Sequence, residues 1–157
     1  KKALRFVLRN ADPNTGLISA GQENGRTMYP HGFGMLFLAS TYGMESDEAV
    51  RERMRKVIDK GIELISQSQS VRGGWYYTPA SPNDEGSVTV TQLQALRAAH
   101  NAGFVVPRET IEKSMQYLEM CRTPEGGIRY SFTSSNQTRL PISAAATQLH
   151  HKPGSSS

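Results

Sequence analysis

The sequence predicts an all-α protein made of tandem helical hairpins, and three observations carry that expectation. A glycine-bearing stretch recurs along the chain at a nearly constant offset. Highly charged amphipathic segments alternate with segments that carry few charges. Glycine-rich stretches join the two kinds of segment.

The recurrence is specific. Shifted by 53 residues, Gly73, Gly74 and Tyr77 fall on Gly126, Gly127 and Tyr130, while Ile58, Ile62 and Ile65 fall on Ile111, Met115 and Leu118. The same shift carries Val90, Leu93 and Leu96 to Ser143, Ala146 and Leu149. An offset of 57 relates Gly16, Leu36 and Ala39 to Gly73, Leu93 and Leu96. Three hairpin units result, at about 1–43, 46–103 and 107–151, within one repeat domain of 1–152 and a tail of 153–157.

Each unit opens with a charged helix. In the first it starts at once; in the second it is predicted over Asp47–Gln69, with Val50, Met54, Val57, Ile58, Ile62 and Ile65 on one stripe. Ser46 is placed to cap that helix, with Asp47 and Glu48 favouring its dipole. In the third, PRETIEKSMQYLEM begins with Pro107 at the first helical position.

The second helix of each unit has few charges: GFGMLFLASTYG, SVTVTQLQALRAAHNAG and the short PISAAATQLH. Gly43 and Gly103 are the expected stops for the first two. A helix with few charges around its circumference is buried on more than one side. The weakly charged helices therefore form an inner layer and the charged ones an outer layer, curved into an arc. A chain that begins directly in an outer helix and stops within an inner one is expected to be part of a longer protein. Uncapped repeat ends leave apolar surface in water, here Ile142 to Leu149, so neighbouring repeats or self-association are expected.

Composition narrows the function. Of 157 residues, 37% are hydrophobic and 20% charged, which suits one folded unit with a core. The longest apolar run, Gly32 to Ala39, is too short to span a bilayer, so no transmembrane segment is expected. The net charge of +4 is scattered, and its densest group, Arg51 to Lys56, reads as a solvated helix face; no nucleic-acid partner is expected. The single cysteine excludes an internal disulfide and leaves the compartment open.

Lys60, Gly61, Ile65, Gln69, Gly73 and Trp75, with Leu64 in an aromatic position, resemble the QW motif of the terpenoid cyclase and protein prenyltransferase superfamily. Degenerate copies lie in register. Lys2, Ala3, Phe6, Val7 and Gly16 match in the first, with Ala11 and Ile18 in the places of Gln and Trp. Lys113, Tyr117, Leu118 and Gly126 match in the last, with Arg122 and Ile128 substituted. The stretches YPHGFGMLFLASTYG and RGGWYYTP are similar to bacterial members without an assigned function. The resemblance implies a squalene-cyclase-like α/α-toroid, of which this chain forms an arc, with Gln69 and Trp75 stapling successive outer helices.

Chemistry on this scaffold is sparse. Cyclases of the superfamily protonate their substrates with a DxDD motif; the matching region here holds only Asp84 and Glu85, followed by Gly86 and Ser87, and Ser87 reads as a helix cap. The prenyltransferases hold zinc on an Asp, a Cys and a His, but Cys121 falls at the end of an outer helix and His31 at the head of an inner one. No metal or other cofactor is expected. GQENG at Gly21 to Gly25 lacks the cysteine of a thioester core. His100 suits a helix C-terminus, and His150 and His151 adjoin the tail.

Tyr29, His31, Tyr76, Tyr77 and Tyr130 lie in the loops leading into inner helices, where they could form one rim suited to an apolar, peptide or glycan ligand. The expectation is a non-catalytic repeat domain that binds or scaffolds. The alternatives are an isoprenoid enzyme, with divergent catalytic residues or with residues outside this segment, and a carbohydrate-handling toroid.

Overall fold

The computed structural model describes residues 1–21 and 24–132. These residues form an all-α structure: α1 (Lys2–Arg9), α2 (Met28–Thr41), a 3-10 turn (Tyr42–Met44), α3 (Glu48–Gln67), α4 (Gly86–Asn101) and α5 (Arg108–Met120). The expected third inner helix, Ile142 to Leu149, lies outside the described residues, as do His150 and His151.

Burial separates the two kinds of helix. The stripe of α3 buries Met54, Val57, Ile58, Ile62 and Ile65, with Val50 half-buried at its end, while the opposite face carries ion pairs such as Arg55 with Glu52 and Asp59. The weakly charged α4 is buried without interruption from Val88 to Leu93 and again at Ala95, Leu96 and Ala99. Such burial on more than one side follows from its position: α4 packs against α2, α3 and α5.

The most extensive helix packing among the described residues is between α2 and α4. A Cβ added at Gly32 would stand 2.7 Å from Gln92 Nε2 and 3.0 Å from Thr91 Oγ1. Gln92 donates from Nε2 to the Met28 carbonyl at 2.8 Å, across 64 residues of sequence. The small residue thus admits a polar seam between two weakly charged helices. α3 settles on this pair through Gly61, whose missing Cβ leaves the room occupied by the thioether of Met35.

Several helix ends differ from expectation. Asp47 caps α3, accepting from Ala49 N at 2.9 Å and Val50 N at 3.1 Å; Ser46 does not. The carboxylate both accepts two loose N–H groups and places its charge on the positive end of the helix. Glu85, and not Ser87, caps α4. Its extended backbone (φ −151°, ψ 135°) is pinned by pairing with Trp75, which aims its carboxylate at the first turn. Pro107 is the capping residue of α5, one position earlier than expected. Gly103 does end α4 in a left-handed conformation (φ +91°), but Gly43 sits inside the 3-10 turn that continues α2.

Candidate functional site

The loops that follow α1, α3 and α5 share one construction. In each, an N–H closes a turn onto a carbonyl four or five residues on: Asp12 to Leu17, Ser70 to Gly74 and Thr123 to Gly127, at 2.9, 2.9 and 2.8 Å. The glycine of each turn, Gly16, Gly73 or Gly126, donates back to Asp12, Ser70 or Thr123 and has a positive φ of 74°, 95° or 85°. Only glycine adopts that region freely.

The first two loops rest on the next charged helix. A Cβ at Gly16 would lie 2.7 Å from Lys60 Cβ, and one at Gly73 would overlap the Lys113 carbonyl. Gln69 ties the second loop down from the side: its Nε2 donates to Gly73 O and to Thr110 O in the first turn of α5, both at 2.9 Å. Trp75 is wholly buried and donates from its indole to Ile65 O at 2.7 Å. Its own N–H goes to Thr89 Oγ1 in α4. Gln69 and Trp75 therefore serve the architecture, joining α3 to α5 and to α4.

Above these loops, at the starts of α2 and α4, four of the five expected rim residues come together. The Tyr29 ring lies 5.8 Å from that of Tyr77, which lies 4.5 Å from that of Tyr76. Tyr77 and Tyr130 hydrogen-bond through their hydroxyls, and so do Tyr29 and Ser87. The backbone fixes the same group: Met28 N donates to Tyr77 O and Gly86 N to Tyr130 O, so α2 and α4 each receive a tyrosine carbonyl at their first turn. Arg26 adds a cation 5.0 Å above the Tyr77 ring. Burial, ahead of the neighbouring Glu85 charge, pushes the Tyr29 hydroxyl up, and burial with the Tyr77 hydrogen bond does the same to Tyr130, so both remain protonated donors at neutral pH.

His31 is not part of that rim. It is fully buried, and its Nδ1 accepts from Ile18 N at 3.2 Å, beneath the first loop. Burial pushes its imidazole down to about 4, against the opposing Gly61 backbone. The sequence position suggested a helix head facing outward, but the α2 face that carries His31 is the one turned to α3.

Both candidate acids are buried and engaged. Asp84 is paired with Arg72 at 2.7 Å, its own side chain almost fully covered and the arginine partly exposed. Glu85 is 0% exposed and accepts from Ser87 N, Val88 N, the Ser87 hydroxyl and Tyr29 OH. Cys121 is the capping residue at the end of α5, where burial pushes its thiol up and away from reactivity. Among the described residues no three His, Cys, Asp or Glu side chains converge as a metal site. No described helix is long and apolar enough to cross a membrane.

Sequence reasoning missed Arg26, Arg72, Thr89 and Gln92, each of which acts across a long stretch of chain. Comparison with protein-family models, curated proteins and solved structures returned no match.

Proposed function

We propose that this chain is a non-catalytic, squalene-cyclase-like repeat module that binds or scaffolds, with the tyrosine rim as the surface offered to an apolar, peptide or glycan ligand. What carries the reading is how the two carboxylates are used. A general acid must present a proton to a reacting atom. Asp84 instead faces an arginine at 2.7 Å, and Glu85 spends its oxygens on a helix terminus and two hydroxyls. The resemblance of the Lys60–Trp75 stretch to the QW motif supports the same view, because Gln69 and Trp75 bind backbone and bury surface.

Stability and turnover together test the reading. Structural carboxylates stabilise the fold, whereas catalytic ones are commonly held at a cost to it. Asp84→Asn and Glu85→Gln should each lower unfolding free energy by about 1 kcal/mol, the size of one hydrogen bond to a charged or capping group. Incubation with linear isoprenoid hydrocarbons and prenyl diphosphates should yield no product by gas chromatography and mass spectrometry. A product that vanishes in Asp84→Asn, with that variant more stable than the parent, would establish the isoprenoid-enzyme alternative.

A further inference from the structure

The joint between α1 and α3 lacks the clamp that fills the joint between α3 and α5. Gln69 precedes the turn that Ser70 closes onto Gly74, and it reaches across to Thr110 O at 2.9 Å. Ala11 precedes the matching turn from Asp12 to Leu17, and Val57 stands 53 residues before Thr110. A methyl group cannot span that gap. An open groove of about 580 Å³ remains there, with Ala11 and Val57 in its lining. It lies at the C-terminal end of α1 and shares no residue with the tyrosine rim.

Four cations line the groove: Arg9, Arg53, Lys56 and Lys60. Two are held in place by carbonyls, which do not cancel their charge. Arg53 donates to Leu8 O at 2.8 Å and Lys60 to Asn14 O at 3.2 Å. Lys56 meets Glu52 only at 3.6 Å, and Arg9 is exposed in the last turn of α1. Both acids of the groove are engaged elsewhere. Asp12 accepts from Asn14 N and Thr15 N, and Asp59 pairs with Arg55 at 3.0 Å. Asp12 also bears on Lys60, so Arg9, Arg53 and Lys56 hold most of the uncompensated charge. The floor is apolar, with Leu8 and Val57 buried. The second joint has no such cluster: Val106 and Glu109 take the places of Arg53 and Lys56, and Lys113 pairs with Glu109 at 2.7 Å.

We propose that this groove binds a small organic phosphate, with the dianion among Arg9, Arg53 and Lys56 and the organic part on Leu8, Ala11 and Val57. Guanidinium groups suit phosphate because their fork of N–H donors matches its oxygens. A cavity of this size takes a small molecule, and its apolar floor gives an organic body a surface to bury. The proposal goes beyond the binding or scaffolding role, since it adds a ligand class at a site separate from the tyrosines.

Phenyl phosphate, titrated into the full chain by isothermal calorimetry, should saturate a single site. Inorganic phosphate should bind at least about tenfold more weakly, for want of the apolar contact. Arg9→Glu should weaken phenyl phosphate by about tenfold and leave the thermal melt unchanged, because the side chain is exposed. Ala11→Gln, which supplies the clamp of the second joint, should abolish binding without lowering the melt. Should it lower the melt, Arg9→Glu decides alone. Absence of saturable binding overturns the proposal, as does equal affinity for the two phosphates. Affinity indifferent to either variant in its folded form places the ligand elsewhere and overturns it too. Binding to phosphatidylserine vesicles without binding of phenyl phosphate would mark a membrane surface instead. Those outcomes leave the non-catalytic reading standing, since that reading fails on turnover.

Discussion

The second and third loops are near-copies that differ in what lies under them. At Gly73 the turn is buried against the α5 backbone, clamped by Gln69 and closed over Trp75. At Gly126 the same turn, with the same positive φ, stands in the open, with Arg122 and Ile128 in the places of Gln69 and Trp75. The difference separates two reasons for a glycine that a repeat alone cannot distinguish. One is the left-handed backbone, which both loops need. The other is the absence of a side chain at a helix crossing, which only the second loop uses here.

That separation gives the largest predicted contrast. Gly73→Ala should cost about 3 kcal/mol or more, combining left-handed strain with an overlap against a carbonyl that cannot step aside. Gly126→Ala should cost only about 1 kcal/mol, the strain alone, because its Cβ meets open space. Urea unfolding of the two variants measures both. Equal costs would mean that the helix crossing at Lys113 relaxes, and that the buried loop is held no more firmly than the open one.

The first loop adds a titratable lock that the second does not have. His31 accepts from Ile18 N, whereas the corresponding Trp75 N–H goes to a threonine hydroxyl. With the folded imidazole at about 4 and the unfolded one near 6.5, only the unfolded chain takes up a proton between those values. Stability from this group is therefore complete above pH 6.5 and falls by about 3 kcal/mol as pH drops towards 4. A His31→Gln variant should flatten that dependence. Hydrogen exchange should show Ile18 losing protection in this window before Trp75; simultaneous loss would place the proton uptake elsewhere.

What the sequence reveals about this molecule follows the range of the interactions. The all-α class, the α3 stripe and the glycine turns were legible because each is set by neighbours within a turn or two of helix. The capping residues were misread by one or two positions because capping depends on where the backbone turns. At Glu85 that is dictated by pairing with Trp75, ten residues away. His31 was misplaced because a helix head can face either way until its partner helix is known. The Gly32–Gln92 seam was invisible for the same reason, since neither residue gains meaning before α2 meets α4.

The clamp itself offers the smallest and cleanest comparison. Gln69→Ala removes two side-chain bonds to backbone carbonyls, at Gly73 and Thr110. It should cost about 1–2 kcal/mol, the net worth of two part-buried hydrogen bonds. Arg122→Ala, at the matching place in the third loop, removes a half-exposed ion pair with Glu119 at 3.5 Å. It should change stability by no more than about 0.5 kcal/mol. Equilibrium unfolding distinguishes them. A large loss at Arg122 would show that the third loop has a clamp of its own and is held in place from within. A negligible loss at Gln69 would mean that Trp75 and the Gly73 crossing alone join α3 to α5. If both match expectation, the joint between α3 and α5 resides in a glutamine and a glycine acting on one backbone segment, and the third loop keeps the glycine turn without the clamp.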